Sequence, residues 1–140
     1  DVAYFGEKDY QQLLIVRRLA RDLDIPVRIA AVPTVRAADG LALSSRNAYL
    51  SQEERRIAPT LARVLREIAA SLAHEPHAVA RELARGAAAL ASAGFAVEYL
   101  EVRDAETLAP IAAAAGAPAR VFAAVRLGKT RLIDNMPIAA

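Results

Sequence analysis

Two short segments carry residue types suited to holding an anion. Gly6-Glu7-Lys8-Asp9 follows a short apolar run, and Leu43-Ser44-Ser45-Arg46-Asn47 sits in a stretch with no hydrophobic period. In the first segment Lys8 supplies a full cation, and Gly6 lets a ligand approach the main chain closely. The helix expected next would aim its free N–H groups and positive dipole end at the same place. A phosphate is the anion best served, although the glycine spacing is not that of a Walker loop. In the second segment two hydroxyls and a guanidinium can clamp phosphate oxygens, Arg46 through paired donors and Ser44 and Ser45 through short hydroxyl bonds. Each residue also has a plainer reading. Lys8 can be a solvated lysine, Asp9 a helix cap with Gln12 as its capping-box partner, and Arg46 a surface arginine paired with a carboxylate. Both segments are basic and both follow strands, so together they suggest one phosphate chain faced by both.

The elements that must position these residues are legible in the pattern. Val2-Ala3-Tyr4-Phe5-Gly6 reads as a buried strand closed by glycine. Leu13, Val16, Leu19, Ala20 and Leu23 share one helical face, in a helix starting near Asp9 or Tyr10 and stopping at Asp24, before Pro26. Val27 to Val32 is the second strand. Strand, turn, helix and strand make a βαβ unit with a parallel sheet, and a chain already in a buried strand at residue 2 is expected to continue a larger sheet. Residues 34–50 read as a long loop with a turn at Asp39-Gly40. Ser51 to Ala73 reads as a helix opened by a Ser51/Glu54 capping box and kinked or broken at Pro59. Pro76 is expected to open a further helix with Val79, Leu83, Ala87 and Leu90 inward and Gly94 as its C-terminal cap. Phe95 to Arg103 reads as a strand. Val121, Ala123, Val125 and Leu127 alternate in the next, Gly128-Lys129 suits a type II′ turn, and Leu132 to Ile138 returns. The second half is therefore an α+β domain of helices and a small antiparallel sheet. Asp134-Asn135 reads either as a turn or as a strand-edge pair with a structural role.

Composition closes several alternatives. The chain has 140 residues, 55% hydrophobic and 24% charged, and lacks cysteine, which excludes disulfide frameworks and thiolate zinc sites. His74 and His77 are its two histidines, flanking a helix junction, which argues against a multi-histidine metal site. No apolar run approaches the ~20 residues of a bilayer span. The net charge of +2 and 5% aromatic content give no basic stripe with interleaved aromatics, so nucleic acid is not an expected partner.

Tyr4-Phe5-Gly6-Glu7-Lys8-Asp9-Tyr10-Gln11-Gln12-Leu13 resembles a signature of the pantoate–β-alanine ligase (pantothenate synthetase) family. Val32-Pro33-Thr34-Val35-Arg36 with Asp39 to Leu50 is similar to that family's second signature, and Arg126-Leu127-Gly128 through Arg131-Leu132-Ile133-Asp134-Asn135 to its C-terminal hairpin. The resemblance covers about the second half of such an enzyme. It implies that residues 1–34 are the last βαβ part of a Rossmann-like nucleotidyltransferase domain binding ATP and pantoate, and residues 35–140 a C-terminal lid. The paired histidines of the family's first half have no counterpart here, so the chain alone is expected to be inactive.

The implied reaction joins pantoate to β-alanine through pantoyl adenylate, consuming ATP with Mg²⁺ and releasing pyrophosphate and AMP. By resemblance, Lys8 contacts phosphate oxygens, and Ser44, Ser45 and Arg46 do so from a loop like the KMSKS loop of related synthetases. Gly6 and Asp9 hold the ribose, Gln12 binds pantoate, and backbone groups at Val35 and Leu43 frame the adenine. Glu7 lies within the nucleotide-binding motif with no role of its own assigned. The resemblance further implies a cytoplasmic enzyme that is commonly a homodimer. The rival reading is a stand-alone α+β module that binds a nucleotide or a protein partner without catalysis.

Overall fold

The computed structural model describes residues 1–139, which fall into two compact units, Asp1–Val35 and Arg36–Ala140. The first unit has the expected βαβ order, but its first strand is not the buried strand expected: Val2 is 40% and Tyr4 67% exposed, with one strand and one helix to cover them. Strands β1 (Val2–Gly6) and β2 (Arg28–Val32) pair in parallel, Val2 opposite Arg28 and Gly6 opposite Val32. Helix α1 (Tyr10–Asp22) connects them, preceded by a single 3-10 turn, Glu7–Asp9.

That turn overrides the expected capping box. Asp9 precedes α1 with φ −93° and ψ 62°, not the extended conformation a capping side chain needs, and it makes no capping hydrogen bond. Gln12 is therefore not its capping partner. The helix also ends earlier than Asp24. Asp24 takes the left-handed conformation (φ +50°), and Ile25 N–H donates to the Ala20 carbonyl at 2.9 Å while Asp24 N–H donates to that of Arg21 at 3.2 Å, a Schellman closure with aspartate where glycine is usual. Of the expected inward stripe only Leu13 is fully buried; Leu19 is 51% and Leu23 63% exposed. A sheet of two strands is too narrow to cover the whole face of a four-turn helix.

The second unit holds α2 (Gln52–Ile57), α3 (Thr60–His74), α4 (Val79–Ala93) and a three-stranded antiparallel sheet. Its strands are β3 (Ala96–Asp104), β4 (Ala119–Leu127) and β5 (Thr130–Ile138), in the order β3-β4-β5. The Ser51/Glu54 capping box forms in both directions, and Pro59 separates α2 from α3, since it cannot donate to the turn before it. Pro76 does not open α4. It lies in a turn closed by Ala78 N–H on the Glu75 carbonyl, and its own carbonyl accepts from Ala114, so α4 starts three residues later. Gly94 caps α4 as expected (φ +106°), with Phe95 N–H donating to the Leu90 carbonyl and both side chains buried. Gly128 has the positive φ (+60°) that a primed hairpin turn requires.

The core gathers Leu61, Val64, Leu65, Ile68 and Leu72 of α3 against Val102, Val121, Val125 and Leu132 of the sheet. The central strand β4 is buried at every position but Arg126, so its sequence alternation does not mark an open face. Central position explains this: neighbours on both edges leave only the two faces, and both are covered. The inward stripe of α4 is Val79, Glu82, Gly86 and Leu90, with Leu83 and Ala87 half-buried beside it. Glu82 is tolerated inside because Arg85 grips its carboxylate at 2.8 Å.

Candidate functional site

The structure gathers the first group of candidate residues at the carboxyl end of β1. Gly6 ends the strand, Glu7, Lys8 and Asp9 form the 3-10 turn, and Gln12 lies in the first turn of α1. In open α/β sheets this end of a strand is where ligands bind. Gly6 has an ordinary extended conformation (φ −73°, ψ 141°), and a Cβ built on it would meet nothing within 4 Å. Neither backbone strain nor packing within the chain asks for glycine here, so its bare main chain is free to meet a ligand. Gly6, Asp9 and Gln12 are exposed, and Glu7 and Lys8 half-buried. Val35, the last residue of this unit, is 62% exposed.

The second group belongs to the other unit, and residues 36–50 are more ordered there than a plain loop. Arg36 and Ala42 form an antiparallel bridge, Ala37 N–H donates to the Leu41 carbonyl at 2.8 Å, and Asp39-Gly40 turns the chain between them. A 3-10 helix, Ser45–Tyr49, follows. Leu41 and Ala42 are buried and hold the returning arm in place. Ser44 Oγ accepts from the Arg46 N–H at 3.2 Å, capping the 3-10 helix and keeping its own proton available to a ligand. Leu43, Ser45 and Arg46 are exposed. Among the described residues Arg46 makes no ion pair, so the carboxylate partner of its plainer reading is not there.

Several supporting residues were not among the candidate site residues. Arg36 donates through Nη1 to Asp134 Oδ2 at 2.6 Å and through Nη2 to Asp134 Oδ1 at 2.8 Å, and Nη1 also reaches the Gly40 carbonyl at 3.1 Å. The hydrogen bond to Asp134 raises the Arg36 pKa above its ordinary value, against the effect of burial. Asp134 and Asn135 thus lie in the interior of β5, not in a turn, and both are buried. Asn47 Nδ2 donates to the Ala42 carbonyl at 3.0 Å. Arg55 of α2 pairs with Asp39 at 2.7 Å and, with the Leu41 N–H, holds the Asp39 carboxyl below its usual range. One signal pointed to Asp134: it takes an inward position between two apolar residues of the same face, Leu132 and Met136. His74 and His77 are exposed at the α3–α4 junction. Among the described residues no three His, Cys, Asp or Glu are grouped to hold a metal ion, and no helix is long and apolar enough to cross a membrane.

The family model described as pantoate-beta-alanine ligase matches residues 1–137. The chain belongs to the pantoate–β-alanine ligase family. It is 59% identical over 140 residues to the pantothenate synthetase of Paramagnetospirillum magneticum and 53% identical over 138 residues to that of Rhodopseudomonas palustris. In both cases the match takes in 99% of this chain and 48% of the relative, so the chain spans about half the length of the curated relatives it matches. Among solved structures, the pantothenate synthetase of Thermus thermophilus superposes with a TM-score of 0.90 at 48% identity, over 99% of this chain and 50% of that one. The Francisella tularensis pantoate–β-alanine ligase, solved with β-γ ATP and β-alanine, gives a TM-score of 0.66 at 29% identity over 97% of this chain and 43% of that one. The chain therefore has the α/β fold of its family, including the three-stranded antiparallel sheet.

Proposed function

We propose that this chain forms the second half of the working part of an ATP-dependent ligase that condenses pantoate with β-alanine to pantothenate. Residues 1–34 are taken as the end of a Rossmann-like ATP- and pantoate-binding domain and residues 35–140 as its lid. The first step is attack of the pantoate carboxylate oxygen on the α-phosphorus of ATP, with pyrophosphate leaving. In the second, the β-alanine amine attacks the acyl carbon of pantoyl adenylate, the C–N bond forms and AMP leaves. Attack of one anion on another needs cancelled charge and fixed alignment.

In this reading Lys8 stabilises the negative charge that grows on the departing pyrophosphate. Ser44, Ser45 and Arg46 supply hydroxyl and guanidinium donors to phosphate oxygens. Gly6 and Asp9 hold the ribose through main chain and carboxylate, Gln12 bonds the oxygens of pantoate, and the backbone of Val35 and Leu43 frames the adenine. Glu7 is included in the nucleotide-binding turn. The magnesium implied by the resemblance finds no carboxylate cage among the described residues, so no step is derived through it; ATP brings its own oxygen ligands. We place the enzyme in the cytoplasm as a homodimer, and take the chain alone to be inactive.

The observation that carries the reading is the Lys8-bearing turn at the carboxyl end of β1, under a bare Gly6 main chain, in a member of this family. The test is AMP formation by the intact protein. It should require pantoate, β-alanine and ATP together; AMP release that ignores pantoate or β-alanine overturns the proposal.

A further inference from the structure

The Ser44–Arg46 segment is held between two fixed points, and one is anchored by a buried ion pair far away in sequence. The Asp134 side chain is 2% exposed, on the same face of β5 as Leu132 and Ile138. A carboxylate in such a place is costly unless both oxygens are satisfied, and a well-packed apolar residue would serve stability as well. Both oxygens are satisfied, by the two terminal nitrogens of Arg36. The same guanidinium takes the Gly40 carbonyl, and the Arg36 backbone bridges to Ala42. The Ala42 carbonyl in turn accepts from Asn47, whose Oδ1 is buried with no partner. Residues 43–46 therefore hang between Ala42 and Asn47, and the Ala42 end is tied to the sheet through Arg36. Leu41, buried in the core, is a second tie, and the Asp39–Arg55 pair, with both side chains more than a third exposed, contributes little.

We propose that the Arg36–Asp134 pair is a positioning pair for phosphate binding: it sets the register of the 36–42 hairpin on β5 and so the place from which Ser44, Ser45 and Arg46 reach their ligand. This inference rests on reading those three residues as phosphate ligands. Neither Arg36 nor Asp134 is assigned contact with substrate.

The experiment uses the intact protein with Asp134→Asn, Arg36→Lys, Arg46→Ala and the Asp134→Asn/Arg46→Ala double variant. The readouts are pyrophosphate release with pantoate and ATP, and amide hydrogen exchange. Asp134→Asn should slow pyrophosphate release at limiting ATP tenfold or more, Arg36→Lys should lose less because one charged contact survives, and exchange at residues 44–47 should quicken while α3 keeps its protection. On the Arg46→Ala background Asp134→Asn should cost several-fold less than it does in the wild type, since only Ser44 and Ser45 remain to be misplaced. Equal losses on both backgrounds, or a wild-type rate in Asp134→Asn, overturn the positioning role. If Asp134→Asn does not fold, Arg36→Lys decides alone: unchanged pyrophosphate release and unchanged exchange at 44–47 overturn the proposal. Should Arg46→Ala itself leave pyrophosphate release intact, it is the phosphate reading that fails, an outcome distinct from an impaired Arg46→Ala with no coupling to Asp134.

Discussion

The carboxylate of Glu54 occupies the space that a Cβ on Gly128 would need. Glu54 is already committed there by the capping box, its Oε1 accepting from the Ser51 N–H at 2.9 Å while its own N–H donates to Ser51 Oγ at 3.1 Å. The N-terminus of α2 and the β4–β5 turn are thus fitted to one another, although each is also a complete local motif.

Gly128→Ala meets two separate costs. The left-handed backbone at φ +60° costs about 1 kcal/mol for a residue with a Cβ, and pushing the Glu54 carboxylate aside breaks its bond from the Ser51 N–H, about 0.5 kcal/mol, while Ser51 Oγ keeps its bond from the Glu54 N–H. Denaturant unfolding should show about 1.5 kcal/mol lost in all. On a Glu54→Ala background the same change should cost only about 1 kcal/mol, the backbone part.

Gly86→Ala sets helix propensity against packing. Alanine gains about 1 kcal/mol in a helix interior. The new methyl would lie 2.6 Å from Ile68 Cδ1, with Leu100 Cδ2 at 3.2 Å and Val64 Cγ1 at 3.3 Å closing the sides. Ile68 is fully buried and has nowhere to retreat, so overpacking wins and the net loss should be about 1–2 kcal/mol by thermal melting. A melting temperature above wild type would show that α3 and α4 separate freely.

Acid should weaken the α3–α4 pairing through Glu82. Burial pushes its carboxyl pKa up, but hydrogen bonds from Arg85 and Ser71, with the charges of Arg85 and Arg81, bring it below the ordinary value. A carboxyl lowered in the folded state adds stability that is fully present above its unfolded pKa, about 4.3, and is lost as pH falls through the folded value. Glu82→Gln should therefore be less stable than wild type at pH 7 and should flatten the fall in melting temperature below about pH 4.3. Identical acid profiles for the two proteins would remove Glu82 from the account.

Substitutions at the β1–α1 turn separate its proposed roles in the intact protein. Lys8→Ala should raise the barrier to pyrophosphate release at saturating ATP by about 2–4 kcal/mol, the scale for losing one donor to developing charge. Gln12→Ala should instead raise the KM for pantoate and leave that for ATP in place. A rise confined to ATP would reassign Gln12 to the nucleotide.

Amino-acid order alone determined the local elements and the residue types at their ends. The Ser51/Glu54 box, the break at Pro59, the Gly94 cap and the Gly128 turn follow from interactions within a few residues, the βαβ unit from the order of its three elements, and all are present. So are the residue types of the proposed anion site and the family signatures, because type and spacing are written in the chain. Tertiary structure decided what depends on neighbours distant in sequence. It buried both faces of β4, turned Glu82 and Gly86 inward, left Leu19 and Leu23 uncovered, and removed the Asp9 cap by inserting a 3-10 turn. Above all it joined Arg36 to Asp134 across 98 positions. Burial and long-range pairing are properties of packed surfaces, and no window of the sequence contains both partners.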